Sequence, residues 1–214
     1  MVGLIDFMQI ELHKMRLQYF INGITTYYHL LKARMLKVEI ASKARFCGSV
    51  SWKIANPCTC KIGKRFIITG GYGINSLSPT EGSCIQVREG STLTIGDYCG
   101  FSSTCISCHE SISIGSYVTI GAGTLINDSN DHCLDNMERR KERGMGGVNR
   151  RLLNIKNKPI TIEDDVFIGA RCIINKGVTI GARSIIASGS VVICNIPPDQ
   201  VWGGNPAKFI KILK

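Results

Sequence analysis

The stretch that decides the fold is residues 160–192, ITIEDDVFIGARCIINKGVTIGARSIIASGSVV. An aliphatic residue occupies every sixth position in it without a miss: Ile162, Ile168, Ile174, Ile180, Ile186 and Val192. Two residues before each comes a small or aliphatic residue: Ile160, Val166, Cys172, Val178, Ser184 and Ser190. Gly169 and Gly181 directly follow their isoleucines, and glycine would let the chain turn there at positive φ. An earlier stretch has the same period at Ile114, Ile120 and Ile126.

A period of six residues fits neither an amphipathic helix nor a meander of hairpins. It fits a short strand followed by a tight turn, repeated, with one inward side chain for each flat face. Three such units make one triangular coil, and successive coils stack at the parallel-strand spacing of about 4.8 Å. The sequence therefore predicts an all-β fold, a parallel β-helix over residues 38–201 followed by a short C-terminal tail over 202–214.

The composition agrees with this fold. The chain has 214 residues, enough for one principal domain, and is 44% hydrophobic but only 7% aromatic. Small and β-branched residues suit tightly wound strands. The net charge of +10 suits an anionic cofactor, an acidic polysaccharide, a membrane face or nucleic acid. Because no folded motif interleaves basic and aromatic residues, we do not expect nucleic acid as a partner.

Residues 1–37 precede the repeat and have a different texture. Apolar and basic residues there fall near helical spacing in two groups, Leu4, Met8, Leu12 and Met15, and then Tyr27, Leu30, Leu31 and Arg34. Asn22 and Gly23 are expected to separate two helices. We interpret this segment as a helical cap over the open end of the β-helix. The alternative is a basic amphipathic segment that makes peripheral contact with a membrane face.

The ten cysteines are interpreted as packing residues and not as metal ligands or reactive thiols. The first residues lack the basic, apolar and small-residue regions of a secretory signal, and no apolar run approaches the roughly 20 residues of a membrane span. CTC at 58–60 and CISC at 105–108 have no second matching pair to complete a zinc site. The scattered cysteines, among them Cys47, Cys84, Cys99, Cys172 and Cys194, are therefore expected to be small buried residues of a cytoplasmic protein, with no metal.

The six-residue rhythm stops after Ile126 and resumes at Ile160, which leaves residues 128–158 as an excursion loop. A stacked coil can eject a loop at a corner without disturbing its neighbours, and loops on rigid frameworks often carry function. The loop opens with DSNDH, which ends at His132. An imidazole has a pKa suited to removing the proton of an attacking alcohol near neutral pH.

The rest of the loop is basic. Residues 137–158 contain eight Lys or Arg and two Glu, an excess of +6. Such a run is either a solvated loop or a surface that captures an anionic acceptor or the phosphates of a cofactor.

The register of the repeat, the break near His132 and the segment IPPDQVWGGNPAKFIK at 196–211 resemble the hexapeptide-repeat acyltransferases. The nearest likeness is to maltose and galactoside O-acetyltransferases and to O-acetyltransferases of bacterial surface polysaccharides. It covers residues 90–211 well, 38–90 loosely and 1–37 not at all. The resemblance implies a left-handed coil, against the usual crossover rule. It further implies acetyl transfer from acetyl-CoA to a sugar hydroxyl, of a surface polysaccharide or its precursor, by a homotrimer with sites between subunits.

The resemblance also implies roles for residues near the loop. His132 matches a family histidine that follows an Asp-containing turn, and would be the general base. Asp128 and Asp131 would orient the imidazole or bind sugar hydroxyls, or would only form the turn. The tetrahedral oxyanion requires a donor in place. Within GFSSTC at 100–105, serines stand near an asparagine of the galactoside enzymes, so Ser103 or a backbone N–H is the expected donor.

Seven residues match family positions that bind coenzyme A: Phe167, Gly169, Ala170, Ala187, Asn205, Lys208 and Lys211. The small residues would leave room for the pantetheine arm, Phe167 would roof the reaction centre, and the two lysines would approach the nucleotide phosphates. Ile193-Cys194 stands where many relatives carry Thr-Lys, which leaves a longer acyl donor open. His109 is interpreted as a coil-corner residue, with a position facing His132 of a neighbouring subunit as the alternative.

Other functions fit the same pattern. Within the fold, an antibiotic-inactivating O-acetyltransferase and an amino-sugar N-acetyltransferase remain alternatives. A zinc hydratase resembling the γ-type carbonic anhydrases belongs to a different class and requires three histidine ligands. Only His109 and His132 lie within the predicted β-helix, so a cysteine would have to substitute. A non-catalytic protein of this fold would not bind coenzyme A.

Overall fold

The computed structural model describes residues 2–71, 74, 76–78, 80–144 and 155–214, with side chains from residue 16 onward except 141–144. Three parallel sheets form the faces of a triangular β-helix, and the chain visits faces 1, 2 and 3 in turn. This confirms the predicted left-handed parallel β-helix with an N-terminal helix.

Within the described residues, face 1 contains β1 (Glu39–Ile40), β4 (Thr59–Ile62), β7 (Thr92–Ile95), β10 (Ser111–Ile114), β13 (Ile160–Ile162) and β16 (Thr179–Ile180). Face 2 contains β2 (Arg45–Gly48), β5 (Ile67–Gly70), β8 (Gly100–Ser102), β11 (Thr119–Ile120), β14 (Phe167–Ile168), β17 (Ile185–Ile186), β19 (Gln200–Gly203) and β20 (Lys208–Ile212). Face 3 contains β3 (Val50–Ile54), β6 (Ser83–Val87), β9 (Cys105–Cys108), β12 (Leu125–Asn127), β15 (Ile173–Asn175) and β18 (Val191–Val192). The helices are α1 (Val2–Met35) and α2 (Asn136–Gly144).

The hexad residues form the core. Ile120, Ile168 and Ile186 stand in register on face 2, and each is at most 1% exposed. Burying one such side chain contributes about 1.5–3 kcal/mol, so the regular column stabilises every coil it passes through. In the earlier coils aromatic residues fill the same interior, with Phe66 and Phe101 packed edge to face at 5.1 Å. These larger residues break the aliphatic period, which is why residues 38–90 show the repeat only loosely.

The glycines that follow the hexad isoleucines do not act as predicted. Gly169 and Gly181 do not have positive φ. A Cβ at Gly169 would lie 2.5 Å from the backbone nitrogen of Ser188, and one at Gly181 would lie 2.4 Å from that of Pro198. Glycine is therefore required there because the next coil passes too close for a side chain. Positive φ falls instead on other corner residues, such as Arg183 (φ 62°) between faces 1 and 2 and Arg171 (φ 57°) between faces 2 and 3.

Helix α1 lies beside the open edge of β2 and is continuous, so the predicted break at Asn22-Gly23 is wrong. A single exposed glycine costs a helix only about 1 kcal/mol, and a Cβ at Gly23 would meet nothing within 4 Å. The hydroxyls of Thr25 and Thr26 donate to the Phe46 carbonyl at 2.9 and 3.1 Å. Among the described residues, no helix is both long and apolar enough to cross a bilayer.

A buried histidine fixes the end of α1 to the first coil. His29 is 4% exposed, and its Nδ1 accepts a hydrogen bond from Trp52 Nε1 at 3.2 Å. The proton therefore sits on Nε2, which donates to the Gly48 carbonyl at 3.0 Å. Burial lowers the pKa of His29, so the neutral imidazole is the form that joins helix and strand.

The excursion and the C-terminal segment both contain secondary structure. Helix α2 begins after Asp135, whose Oδ1 accepts the N–H groups of Met137 and Glu138 at 2.9 Å, an N-cap that the sequence analysis missed. Residues 145–154 of the predicted basic loop lie outside the described residues. In the C-terminal segment, β20 pairs antiparallel with β19 and so extends face 2 beyond the last coil.

The cysteines are all free thiols, but they are not uniformly buried. Cys99 and Cys172 are buried as expected, whereas Cys194 is exposed and Cys47 and Cys84 are half-buried. Burial raises the pKa of Cys99 to about 11, which suits a packing role. The period places every second residue of a strand outward, and an outward position does not bury a thiol.

Candidate active site

The loop that carries His132 leaves the β-helix through a hydrogen-bonded neck at the corner between faces 3 and 1. Ser129 forms an antiparallel bridge with Asn157, and the Asn130 N–H donates to the Lys156 carbonyl at 3.1 Å. His132 follows directly, and its N–H donates to the Asn130 carbonyl at 2.6 Å. Its side chain is exposed. The neck thus holds an accessible imidazole at a defined place beside a rigid corner.

Asp128 anchors this corner of the β-helix. It is 0% exposed, and its Oδ1 accepts the His109 N–H at 2.6 Å. Its Oδ2 accepts the N–H groups of Glu110 and Ser111, both at 2.8 Å. Of the alternatives for Asp128, the contacts favour the turn-forming role over orienting His132 or binding sugar hydroxyls, because the buried carboxylate caps the turn of the preceding coil.

Asp131 lies against the histidine of the preceding coil. Its Oδ1 is 3.2 Å from His109 Nε2, and its Oδ2 accepts a hydrogen bond from Asn127 Nδ2 at 2.7 Å. His109 Nε2 is also 3.0 Å from Ser107 Oγ. His109 is thus the coil-corner residue that the sequence favoured, with a side chain 12% exposed. The pair it forms with Asp131 was not predicted, since the period says nothing of contacts between a loop and the coil beneath it.

Ser103 is not available to stabilise an oxyanion. It is 4% exposed at the corner between faces 2 and 3, away from the loop neck. Its hydroxyl donates to the Glu81 carbonyl at 2.9 Å, and its N–H donates to the Thr69 carbonyl at 2.7 Å. Both donors are used inside the β-helix, so the prediction for this side chain is wrong.

The candidate cofactor residues on face 2 share one outer surface. Phe167 is 45% exposed and stands in register with Ile185, which in turn pairs with Val201. Lys211 lies opposite Val201 in the closing hairpin, so its register position is on the same side of the sheet. Three strand spacings separate Phe167 from Lys211, about 14 Å. Lys208, opposite Gly203, is exposed at the same end.

The remaining candidate cofactor residues differ in how accessible they are. Ala170 and Ala187 are half-buried and leave shallow space along the corner between faces 2 and 3, and Asn205 is exposed in the turn before β20. Gly169 is buried, and its N–H and carbonyl are both hydrogen-bonded within the β-helix. Gly169 is therefore required for coil packing and does not line a cofactor groove as predicted. The remaining residues fit an extended, amide-containing chain that ends in phosphates.

The two halves of the candidate site lie on opposite sides of the molecule. In a triangular coil, the corner between faces 3 and 1 is opposite face 2. His132 stands at that corner, whereas Phe167 projects from face 2, so the core of the β-helix separates them. One chain therefore cannot bring the two side chains together.

The structure also bears on the predicted metal ligands and on the basic loop. In the described part of the chain, no three His, Cys, Asp or Glu side chains form a cluster of the kind that a zinc hydratase requires. Part of the basic loop has a structural task, since Arg139 Nη1 donates to the Cys133 carbonyl at 2.9 Å.

Comparison with known proteins agrees with this architecture. Residues 159–194 match the family model described as the hexapeptide repeat of succinyl-transferase. This part of the chain is a hexapeptide repeat. Over 69 residues this hexapeptide-repeat protein is 48% identical to a 2,3,4,5-tetrahydropyridine-2,6-dicarboxylate N-acetyltransferase of Clostridium perfringens, a match that covers 32% of the chain and 29% of the relative. The match therefore spans less than a third of either protein.

Two further relatives name the chemistry and extend the likeness. The galactoside O-acetyltransferase of Escherichia coli K12 is 49% identical over 53 residues, which cover 25% of this chain and 26% of that one. A crystal structure of a hexapeptide-repeat acetyltransferase from Vibrio cholerae, complexed with acetyl coenzyme A, superposes with a TM-score of 0.54 at 26% identity. The superposition covers 93% of this chain and 84% of that one, so the likeness extends over nearly the whole fold.

Replacing Asp128 with Ala should destabilise the protein strongly, because three backbone N–H groups would lose their charged acceptor. We expect the free energy of unfolding to fall by at least about 2 kcal/mol, measured by urea titration. Asp131→Asn is the control, since that carboxylate is 40% exposed and asparagine tolerates the positive φ of residue 131 (57°), so the change should cost less than about 1 kcal/mol. Equal losses for the two variants would contradict the anchoring role.

Proposed function

We propose that this hexapeptide-repeat protein is an acetyltransferase that moves the acetyl group of acetyl-CoA to a sugar hydroxyl of a surface polysaccharide or its precursor. The observation that carries the proposal is the placement of His132, an exposed imidazole held next to a hydrogen-bonded neck on a rigid corner. The names of the relatives support the donor and the class of reaction.

In this mechanism His132 acts as general base. The acceptor hydroxyl attacks the carbonyl carbon of the thioester while the imidazole takes its proton. A new C–O bond forms, the C–S bond breaks as the tetrahedral intermediate collapses, and the imidazolium returns the proton to the leaving coenzyme A sulfur. Because the donors of Ser103 are already used, we assign the stabilisation of the oxyanion to a backbone N–H.

We propose further that the working site forms between subunits of a homotrimer. The separation of His132 from Phe167 by the β-helix core supports this arrangement. The corner between faces 3 and 1 of one copy would supply the base, and face 2 of the next would hold the cofactor. Lys208 and Lys211 would then lie at the phosphate end of the cofactor, away from the reacting thioester.

An amine acceptor is the second candidate. Its support is the 48% identity over 69 residues with the Clostridium perfringens N-acetyltransferase. The donor half of the site would be the same for both reactions. A panel of sugars and amino sugars, followed by release of free thiol from acetyl-CoA, tests the choice directly, because the product bond is an ester in one case and an amide in the other.

Replacing His132 with Ala should lower kcat by about 10²–10⁴-fold, since it removes the general base. Binding of coenzyme A, measured by calorimetry, should stay nearly unchanged because the imidazole acts on the acceptor. His109→Gln is the matched control, and we expect less than about tenfold loss because the His109 side chain contacts Asp131 and Ser107 and is assigned no step of the reaction. Near-normal turnover by His132→Ala, with an inactive His109→Gln, would transfer the base role to His109.

Replacing Lys208 and Lys211 together with Gln should raise the KM for acetyl-CoA a few-fold without changing kcat. Exposed lysines bind phosphates equally in the ground and transition states, and their contribution is screened by salt. The effect should therefore shrink as ionic strength rises. The control is the pair Lys43→Gln and Lys61→Gln at the other end of the β-helix. A loss of kcat at saturating acetyl-CoA, or no change at low salt, would contradict this assignment.

A further inference from the structure

Helix α1 exposes a continuous row of large apolar side chains. Eight of them recur at steps of one, three or four residues and thus share one face of the helix. This apolar stripe comprises Leu17, Phe20, Ile21, Ile24, Tyr27, Tyr28, Leu31 and Met35, which are between 41% and 83% exposed. At 1.5 Å per residue it is about 27 Å long.

The stripe is on the side of α1 that faces away from the protein. A surface helix usually turns its apolar face to the core. Here the opposite, polar face does so: Thr26 and His29 are hydrogen-bonded to the backbone of β2, and the small residue Ala33 is 1% exposed against the core. The polar side of α1 therefore packs against the β-helix, and its apolar side faces outward.

The direction of these contacts shows where the stripe points. Thr26 contacts Phe46, and His29, one turn further along α1, contacts Gly48 further along β2. The helix consequently runs alongside β2, across the end of the β-helix where the coils begin. The part of the apolar stripe from Ile24 to Met35 therefore lies on the outer side of that end.

The charges around this end are mostly positive. Residues 16–54 contain one acidic residue, Glu39, and seven basic ones: Arg16, Lys32, Arg34, Lys37, Lys43, Arg45 and Lys53. The single acid is already paired, since Glu39 Oε2 is 3.2 Å from Lys61 Nζ. An apolar surface whose border carries a net positive charge complements a partner that is apolar inside and anionic at its edge.

The side chains of the stripe favour a lipid surface over a second copy of the chain. Tyr27 and Tyr28 have the amphipathic ring character that suits the boundary between headgroups and acyl chains, and Phe20 adds an apolar ring. A second α1 packed on the stripe would bring like charges together around Arg16 and Arg34, and residues 16–38 contain no acid to pair with them.

From these observations we infer that the apolar stripe of α1 binds the surface of a membrane containing anionic lipids. The helix lies in the plane of the interface with the stripe among the headgroups and upper acyl chains, and the axis of the β-helix stands away from the membrane. The inference is independent of the proposed acyl transfer, because its test measures binding and not turnover.

The test is co-sedimentation of the full chain with large vesicles, either of phosphatidylcholine alone or of three parts phosphatidylcholine to one part phosphatidylglycerol. We expect binding to the mixed vesicles at low salt and much weaker binding to phosphatidylcholine. The double substitution Ile24→Gln and Leu31→Gln should lower the partition constant at least about tenfold, because it removes two apolar side chains from the stripe. Arg16→Gln with Arg34→Gln should lose the preference for anionic vesicles and most of the salt dependence.

The matched control is Tyr19→Gln, which removes an aromatic side chain that is 71% exposed but lies outside the stripe. Its binding should stay within about twofold of the unsubstituted chain. Circular dichroism and thermal unfolding show whether each variant keeps the fold. Failure of the unsubstituted chain to bind mixed vesicles, or equal binding by the stripe variant, overturns the inference. A stripe variant that lowers the molar mass in analytical ultracentrifugation while leaving vesicle binding unchanged assigns the stripe to a second copy and also overturns it.

Discussion

The close stacking of successive coils is the constraint on which the rest of the structure depends. Each coil must bury one aliphatic side chain per face and let the next coil pass at strand spacing. Where backbones approach most closely a side chain has no room, as the 2.4 Å approach of Pro198 to a Cβ at Gly181 shows. This rigidity allows the corners to hold polar groups at fixed positions, including the buried carboxylate of Asp128.

The repeat was predictable from sequence because the buried aliphatic residues recur at every sixth position of the chain. The role of Gly181 was not, since a period cannot distinguish a glycine that turns the chain from one that makes room for its neighbour. The role of Asp128 was left open for a related reason: its partners are backbone groups 17 to 19 residues away, in another coil. Contacts between coils are set by register, which appears only once the coils are stacked.

For the candidate site too, the sequence predicted local features but not contacts between residues far apart in the chain. The position of His132 at the start of the loop could be predicted, because the six-residue period stops after Ile126 and so marks the corner from which the loop leaves. The neck between Ser129 and Asn157, and the contact of Asp131 with His109, join residues that no sequence spacing relates. For α1 the sequence left a cap and a membrane-contacting segment both open, since helical spacing alone does not reveal which face is docked.

The central claim is that His132 of one copy works with face 2 of another. Mixing two inactive variants tests it most directly: His132→Ala, which lacks the base, and Ala187→Trp, which fills the cofactor edge. Co-expressed with different tags and purified through both, the mixed oligomers should recover activity to about a third of the normal value per site, because each trimer that contains both chains has one junction that joins an intact His132 to an intact face 2. Mixed oligomers that contain both chains and remain inactive would contradict the claim.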